Sequence, residues 1–219
     1  MLINVCRVVS ITISTNRKRK NGDDMLNVGN TKNYIVFDLE FNQAFRINRV
    51  TRQLEQGNMN PQIPQEIIEI GAVKLNQNYC HIDSYKTFIK PNIYKKIHPQ
   101  VRKMTKISEY ELEYALPFKQ CLSAFQMWIG MSYCLCTWSR DDIAGLRSNC
   151  IFYGIDIDWI DNIIDVQKLY SDTYNLKQQV GLKKAVKELG IESETRFHSA
   201  LYDAIYTSKV LQHLIMGKE

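Results

Sequence analysis

The chain has 219 residues, of which 45% are hydrophobic and 23% are charged. This composition is ordinary for a globular protein, and the length suits one domain with a substantial core and room for an appendage. The net charge of +5 does not by itself indicate a nucleic-acid partner, because residues 1–24 carry +3 of it and leave the remaining chain close to neutral.

Residues 1–24 differ in character from the rest of the chain. Leu2 to Ser14 is mildly apolar but contains Arg7, and the basic cluster Arg17–Lys20 follows it. A secretory signal places its charges first, and a membrane span needs about 20 apolar residues. We therefore expect neither export nor membrane insertion. We predict a cytoplasmic protein with a folded domain over residues 25–219 and a mobile tail over residues 1–24. The alternatives for this tail are a nucleic-acid contact by its basic cluster and an extension upstream of a working start at Met25.

The six cysteines do not have the spacing of a zinc site, because none of them form a CxxC pair. We interpret them as free thiols of a protein in a reducing compartment.

The segment Tyr34–Asn42 predicts a buried strand that ends in two acids. It opens with four β-branched or aromatic residues and contains neither Gly nor Pro. Side chains alternate between the two faces of a strand, so Asp38 and Glu40 point the same way. Two neighbouring carboxylates repel each other unless a cation lies between them or one of them takes up a proton. The alternative is a strand that simply ends in a solvated acidic turn.

The residues after this strand predict a long connection and a hairpin. Residues 43–65 are polar, contain Gly57 and two prolines, and predict a loop with a short helical piece. The loop carries Arg46, Arg49 and Arg52, which suit contacts with a phosphate backbone or with solvent alone. Residues 66–75 and 79–90 predict two antiparallel strands joined by a turn.

A one-sided basic segment runs from Ser84 to Ser108. It contains seven basic residues and no acid: Lys86, Lys90, Lys95, Lys96, Arg102, Lys103 and Lys106. In a domain that is otherwise nearly neutral, such a run favours contacts with a phosphate backbone, although many charge runs are only solvated faces.

Helices and strands alternate in the second half of the chain. Ser108 and Ser139 are natural N-caps, and apolar spacing predicts helices from Ser108, over 117–129, from Ser139, over 182–189 and over 199–216. Strands are predicted at 133–138 and 163–166, the latter followed by a further helix.

Two segments in this half contain candidates for chemistry. Asp141 and Asp142 follow the strand that ends at Trp138. Either acid is explained by the helix dipole or by a ligand site at the carboxyl end of the sheet. Asp203 lies inside an apolar helix, where a carboxylate is costly unless it is paired or binds a metal. His198 precedes it by five residues.

Together these segments resemble the DEDDh 3′–5′ exonucleases, the superfamily of ribonuclease T and of a DNA polymerase III proofreading subunit. Asp38-Leu39-Glu40, then Asp142 after Trp138, then His198 with Asp203, match the three signature segments in order and in rough separation. The resemblance covers about residues 33–214. It is strongest to the branch of KapD-like sporulation inhibitors and of the eukaryotic exoribonucleases that trim small RNAs and ribosomal RNA. The spacing from Trp138 and the following Leu146 favour Asp142 over Asp141.

The resemblance implies a ribonuclease H-like α/β fold. Its central mixed sheet has five strands, the first antiparallel and the later ones parallel, flanked by helices. It also implies two Mg²⁺ or Mn²⁺ ions held by Asp38, Glu40, Asp142 and Asp203, with Asp38 bridging both. Glu40 and Asp203 would serve the nucleophile side, and Asp142 the leaving-group side. Hard carboxylate ligands without a cysteine or histidine cluster suit these ions better than zinc.

The predicted activity is stepwise hydrolysis from the 3′ end of single-stranded RNA or DNA, with RNA favoured, to nucleoside 5′-monophosphates. His198 is the candidate general base, and Leu39, Phe41 and Asn42 are candidate substrate contacts. The sequence leaves room for a homodimer and predicts no membrane partner.

The alternative function is a regulatory binding protein on an exonuclease fold, similar to a KapD-like sporulation inhibitor. The complete set of four acids and a histidine argues against a purely binding role.

Overall fold

The computed structural model describes residues 33–193 and 197–217. The predicted tail over residues 1–24, with its basic cluster, and the start of the domain at residue 25 lie outside the described residues. Cys6 also lies outside them. The other five cysteines are free thiols, with Cys80 exposed and the rest buried.

The described chain alternates strands and helices around one main sheet. The strands are β1 (Asn33–Gln43), β2 (Phe45–Ile47), β3 (Leu54–Gln56), β4 (Gln65–Asn76), β5 (His81–Lys90), β6 (Leu116–Pro117), β7 (Tyr133–Thr137) and β8 (Ile163–Asp165). The helices are α1 (Pro99–Thr105), α2 (Glu109–Glu113), α3 (Phe118–Ile129), α4 (Arg140–Phe152), α5 (Val166–Thr173), α6 (Leu182–Glu188) and α7 (Ala200–Met216).

The main sheet has the strand order β6-β5-β4-β1-β7-β8. The pairs β1–β4 and β4–β5 are antiparallel, whereas β1–β7, β7–β8 and β5–β6 are parallel. The predicted mixed α/β sheet is thus confirmed. The sheet has six strands instead of five, because the two-residue strand β6 pairs with the end of β5.

Two short elements differ from the sequence expectation. Residues 43–65 do not contain a helical piece. They form the ribbon β2–β3, in which Arg46 and Glu55 are cross-strand partners with Nε and Oε2 2.9 Å apart. Helix α1 was not predicted. It is polar and buries none of its side chains, so it lacks the apolar spacing by which a helix is recognised.

The side chains of β1 divide between two hydrophobic clusters. Ile35, Phe37 and Leu39 pack with α3 and α4 on one face of the sheet. Tyr34 and Val36 pack with α5, α6 and α7 on the other face. Because residues alternate, Asp38 and Glu40 continue the row of Val36 and lie on the face that α7 covers.

Within residues 33–193 and 197–217, none of the helices has both the length and the apolar composition needed to cross a membrane.

Candidate functional site

Strand β1 delivers two acids to the α7 face of the sheet. Its first residues are buried between two layers of helices, and the strand becomes more open where Asp38 and Glu40 occur. Phe37 and Leu39 anchor the opposite face in the core, so the two carboxylates are held by a strand that has little freedom to move.

Helix α7 brings a third acid to this place. Asp203 lies in its first turn, and one carboxylate oxygen from each of Asp38, Glu40 and Asp203 lies within 4.8 Å of the others. The helix approaches β4 so closely that a Cβ atom on Gly71 would stand 2.0 Å from the backbone nitrogen of Leu201. The absence of a side chain at Gly71 therefore sets the depth at which α7, and with it Asp203, is seated.

The fourth acid comes from the start of α4. Ser139 caps this helix by accepting the N–H of Asp141, and Asp142 follows as a buried residue. Asp142 Oδ1 accepts the backbone N–H of Leu39 at 3.3 Å, which ties the start of α4 to β1 between the two strand acids. Asp141 is exposed. Asp142 is not one of the three acids whose oxygens lie within 4.8 Å of one another, but its charge acts on Asp38.

Burial raises the pKa of all four carboxyl groups, and repulsion by neighbouring acids adds to this for Asp38, Glu40 and Asp142. Burial, followed by the charges of Asp142, Asp203 and Glu40, raises the pKa of Asp38 well above its usual value. Burial and then Glu69 raise the pKa of Glu40 to about 8. Burial raises the pKa of Asp142 to about 7 and that of Asp203 to about 6, in each case against a backbone N–H that lowers it.

These acids fit a divalent cation. Asp203 Oδ2 accepts the backbone N–H of His198 at 3.1 Å, but its other oxygen, Oδ1, is buried without a hydrogen-bond partner. A buried carboxylate oxygen without a partner is costly, and a hard cation would satisfy it. The close grouping of Asp38, Glu40 and Asp203 provides such ligands on one side, with Asp142 beside them.

His198 stands at the entrance of α7 and is exposed. Its backbone φ is +68°, in the left-handed region where non-glycine residues are uncommon. The hydrogen bond from its N–H to Asp203 holds the residue in this conformation, which couples its position to one of the clustered acids.

The three predicted substrate contacts have different surroundings. Leu39 is buried in the core, so only its backbone lies near the acids. Phe41 is half-buried, and its ring packs against Gly145 of α4.

Asn42 is fully buried and does not fit the expected substrate contact. Its amide donates to the carbonyls of Tyr94 and Lys96 at 2.7 and 2.9 Å, and accepts the N–H of His98 at 2.8 Å. These hydrogen bonds hold the loop that follows β5. The spacing of residues along the sequence could not indicate this role, because the loop is distant from Asn42 in the chain.

Glu69 is a nearby acid that the sequence analysis did not single out. It is 1% exposed, lies opposite Glu40 on β4, and forms an ion pair with Lys86 in which Nζ and Oε1 are 3.3 Å apart. Ser199 Oγ contacts the same oxygen at 3.5 Å. The sequence signal for Glu69 was an acid within the otherwise apolar run from Ile67 to Val73. As with Asp203, a carboxylate in such a place is costly unless it is paired or binds a metal.

Comparison with known proteins gives one family. The RNase T family model, described as an exonuclease, matches residues 35–211. ERI1 exoribonuclease 2 of Xenopus laevis is 29% identical over 180 residues, which cover 69% of this chain and 26% of that protein. The probable 3′–5′ exonuclease KapD of Bacillus subtilis (strain 168) is 22% identical over 191 residues, covering 86% of this chain and 87% of KapD. The chain thus spans about a quarter of the first relative and most of the second.

Solved structures share the fold. The nuclease domain of 3′hExo, a DEDDh family member bound to rAMP, superposes with a TM-score of 0.71 at 22% identity, covering 84% of this chain and 92% of that one. Cell-death related nuclease 4 superposes with a TM-score of 0.70 at 17% identity, covering 86% and 65%. Since the family match spans most of the described residues and the fold agrees, the chain belongs to the RNase T exonuclease family, within the DEDDh 3′–5′ exonuclease superfamily.

Proposed function

We propose that this protein is a divalent-metal-dependent 3′–5′ exonuclease that releases nucleoside 5′-monophosphates from single-stranded nucleic acid. The observation that carries the proposal is the grouping of Asp38, Glu40 and Asp203 within 4.8 Å, with Asp142 held against β1 beside them. Four acids that repel one another at one end of a sheet are a costly arrangement, and cation binding compensates for that cost.

The four carboxylates would hold the ions. They are hard oxygen ligands, which favours Mg²⁺ or Mn²⁺, and the unpartnered Oδ1 of Asp203 marks one position where a ligand bond is needed. When bound, two such ions supply the positive charge that stabilises the attacking and departing oxygens of a phosphodiester.

His198 is the proposed general base. Imidazole is the side chain that exchanges protons near neutral pH, and His198 is exposed beside Asp203, where it can take a proton from an attacking water. Phe41 remains the proposed contact for the terminal base. Its half-buried ring is supported by Gly145 from behind, and an aromatic face accepts any base by stacking.

RNA is the favoured substrate. The curated relative with 29% identity is named an exoribonuclease, and the 3′hExo nuclease domain was solved with rAMP. A related structure is described as recognising the 3′ end of a histone mRNA stem-loop. Carried over to this chain, these names favour a single-stranded RNA 3′ end. DNA as a substrate, a homodimer and a cytoplasmic location stay predictions.

The test uses matched RNA and DNA oligomers that carry a fluorescent label at the 5′ end. With Mg²⁺ or Mn²⁺, we expect a ladder of products that shorten one nucleotide at a time from the 3′ end, together with nucleoside 5′-monophosphates. A chelator and the Asp38→Asn variant serve as controls, and both should abolish the ladder. A folded full-length sample that leaves every oligomer intact with both metals would contradict the proposal.

A further inference from the structure

A cavity of about 820 Å³ lies beyond the end of β5, apart from the four acids. Its walls are the loop that follows β5, helix α2, the first turn of α3, and Tyr153 at the end of α4. The lining is basic, with four lysines, Lys90, Lys95, Lys96 and Lys119, against two glutamates. All four lysines are exposed.

The lining of this cavity carries more positive than negative charge, with four lysines against Glu109 and Glu113. Glu109, one of the two lining acids, is already paired with Arg102 at 3.9 Å, and Lys90 donates to the backbone carbonyl of Glu113 at 2.9 Å. Within the described part of the chain, Lys95, Lys96 and Lys119 form no ion pair. Three free ammonium groups around one concave surface attract an anion with several charges.

The loop after β5 carries Lys95 and Lys96, and we call it the lysine loop. Two buried polar side chains hold it in place. Glu66 is 2% exposed, and its carboxylate accepts the backbone N–H groups of Asn92, Ile93 and Tyr94 at 2.6–3.1 Å. Asn42 bonds the same loop at Tyr94, Lys96 and His98. The loop is therefore preorganised, and binding a ligand there requires little ordering of its backbone.

The same residues connect the cavity to the acids. Asn42 and Glu66 are register partners at the ends of β1 and β4, and Asn42 follows Glu40 by two residues on one strand. Two residues of a strand span about 7 Å, and Asn42 bonds the lysine loop directly. The loop therefore lies within the length of a few nucleotides from the acids.

We propose that this cavity binds the phosphate backbone of the substrate strand, on the 5′ side of the nucleotide that is cleaved. The proposal rests on the proposed exonuclease function and extends it to a second contact region. Lysine recognises phosphate as a point charge and carries no base information, so the contact is independent of sequence. Phe118, whose ring stacks on Tyr153 with centroids 5.0 Å apart, is buried and forms the wall rather than a stacking platform.

The test compares strand lengths in the inactive Asp38→Asn background, where the oligomers stay intact. Fluorescence anisotropy measures the binding of 5′-labelled single strands of 3 and 12 nucleotides at several salt concentrations. The triple variant Lys95→Ala, Lys96→Ala, Lys119→Ala should bind the 12-mer at least about 10-fold more weakly and the 3-mer unchanged. The slope of log K against log salt should fall by about 0.7 for each lysine that contacts a phosphate.

Two matched variants complete the design. Lys95→Arg, Lys96→Arg, Lys119→Arg keeps the charge and should bind the 12-mer within about threefold of the parent. Lys168→Ala, Lys184→Ala, Lys187→Ala removes the same charge from exposed positions on α5 and α6 and should leave the salt slope nearly unchanged. Unaltered 12-mer binding and salt slope in the first triple variant would overturn the proposal. That result is distinct from a failure of the exonuclease function, which is measured with the unmodified protein and metal.

Discussion

Glu40 on β1 and Glu69 on β4 stand directly opposite each other in the antiparallel register, and Lys86 on β5 pairs with Glu69 from the far side. Glu69 is the first charge, after burial, that raises the pKa of Glu40. The pKa of Glu40, a candidate metal ligand, is therefore raised by Glu69, which lies on the neighbouring strand and is itself paired with Lys86.

The Glu69→Gln variant should lower the pKa of Glu40. The substitution removes one negative charge at cross-strand distance, which at an effective dielectric constant near 20 corresponds to about one pKa unit after partial compensation by Lys86. The measurement is a ¹³C NMR titration of the side-chain carboxyl groups in metal-free protein. Glu55→Gln, on the separate ribbon, is the control and should leave Glu40 unchanged. A pKa of Glu40 that is the same in Glu69→Gln as in the parent protein would contradict this coupling.

The metal-free protein should lose stability as the pH rises from 5 to 8. The pKa values of Glu40, Asp142 and Asp203, about 8, 7 and 6, lie above their usual values near 4, so the folded chain binds more protons than the unfolded chain in this range. Their contribution to the free energy of unfolding is complete below pH 4 and is lost as the pH passes through the folded pKa values. We expect Tm to be about 5–10 °C lower at pH 8 than at pH 6.

Metal addition and one variant test the cause of this pH dependence. Mg²⁺ or Mn²⁺ should raise Tm more at pH 8 than at pH 5, because ions compete with protons for the same carboxylates. The Glu40→Gln variant should show a flatter Tm profile without metal. Burial lowers the pKa of His98, which acts in the opposite direction, so the comparison of parent and Glu40→Gln isolates the acids. A metal-free Tm that increases steadily from pH 5 to 8 would argue against the raised pKa values.

Asp142→Asn should lower the cleavage rate by about 10²–10⁴-fold, since a lost metal ligand removes several kcal/mol of transition-state stabilisation. Asparagine still offers an oxygen to the N–H of Leu39, so the helix should remain attached to β1. Asp141→Asn is the adjacent control. Its side chain is exposed, and the expected change is less than about threefold. A larger loss of cleavage rate in Asp141→Asn than in Asp142→Asn would make Asp141 the fourth acid of the site.

His198→Ala should reduce the rate of the chemical step by about 10²–10⁴-fold, the range for a lost general base. The backbone N–H that bonds Asp203 is retained, so metal binding measured by calorimetry should persist. The pH–rate profile of the variant should lose the limb that depends on the base. His81→Ala, an exposed position on β5, should leave both measurements unchanged. Full activity in His198→Ala would remove the residue from the mechanism.

Gly71→Ala should displace α7 and with it Asp203. The added Cβ would lie 2.0 Å from the nitrogen of Leu201 and 2.2 Å from the carbonyl carbon of Ala200, and backbone atoms cannot rotate away. Overpacking of this kind costs about 1–3 kcal/mol, or about 2–12 °C in Tm. Activity should fall by more than the loss of folded protein explains. Gly181→Ala, where a Cβ meets nothing within 4 Å, should change Tm by less than about 3 °C.

The sequence by itself indicated the order of the main elements and the candidate acids, with Asp141 as an alternative to Asp142. Alternation along β1 placed Asp38 and Glu40 on one face, and an apolar helix around Asp203 indicated a buried carboxylate. These signals are local, because they depend on the two-residue period of a strand and the 3.6-residue period of a helix.

Only the tertiary structure decided which residues meet. The burial of Asp142 beside the exposed Asp141, the pairing of Glu40 with Glu69, and the hold of Asn42 and Glu66 on the lysine loop all join segments more than 25 residues apart or depend on burial. Strand register and the depth at which a helix is seated on a sheet are set by packing of the whole domain. For that reason, no local pattern in the chain could specify them.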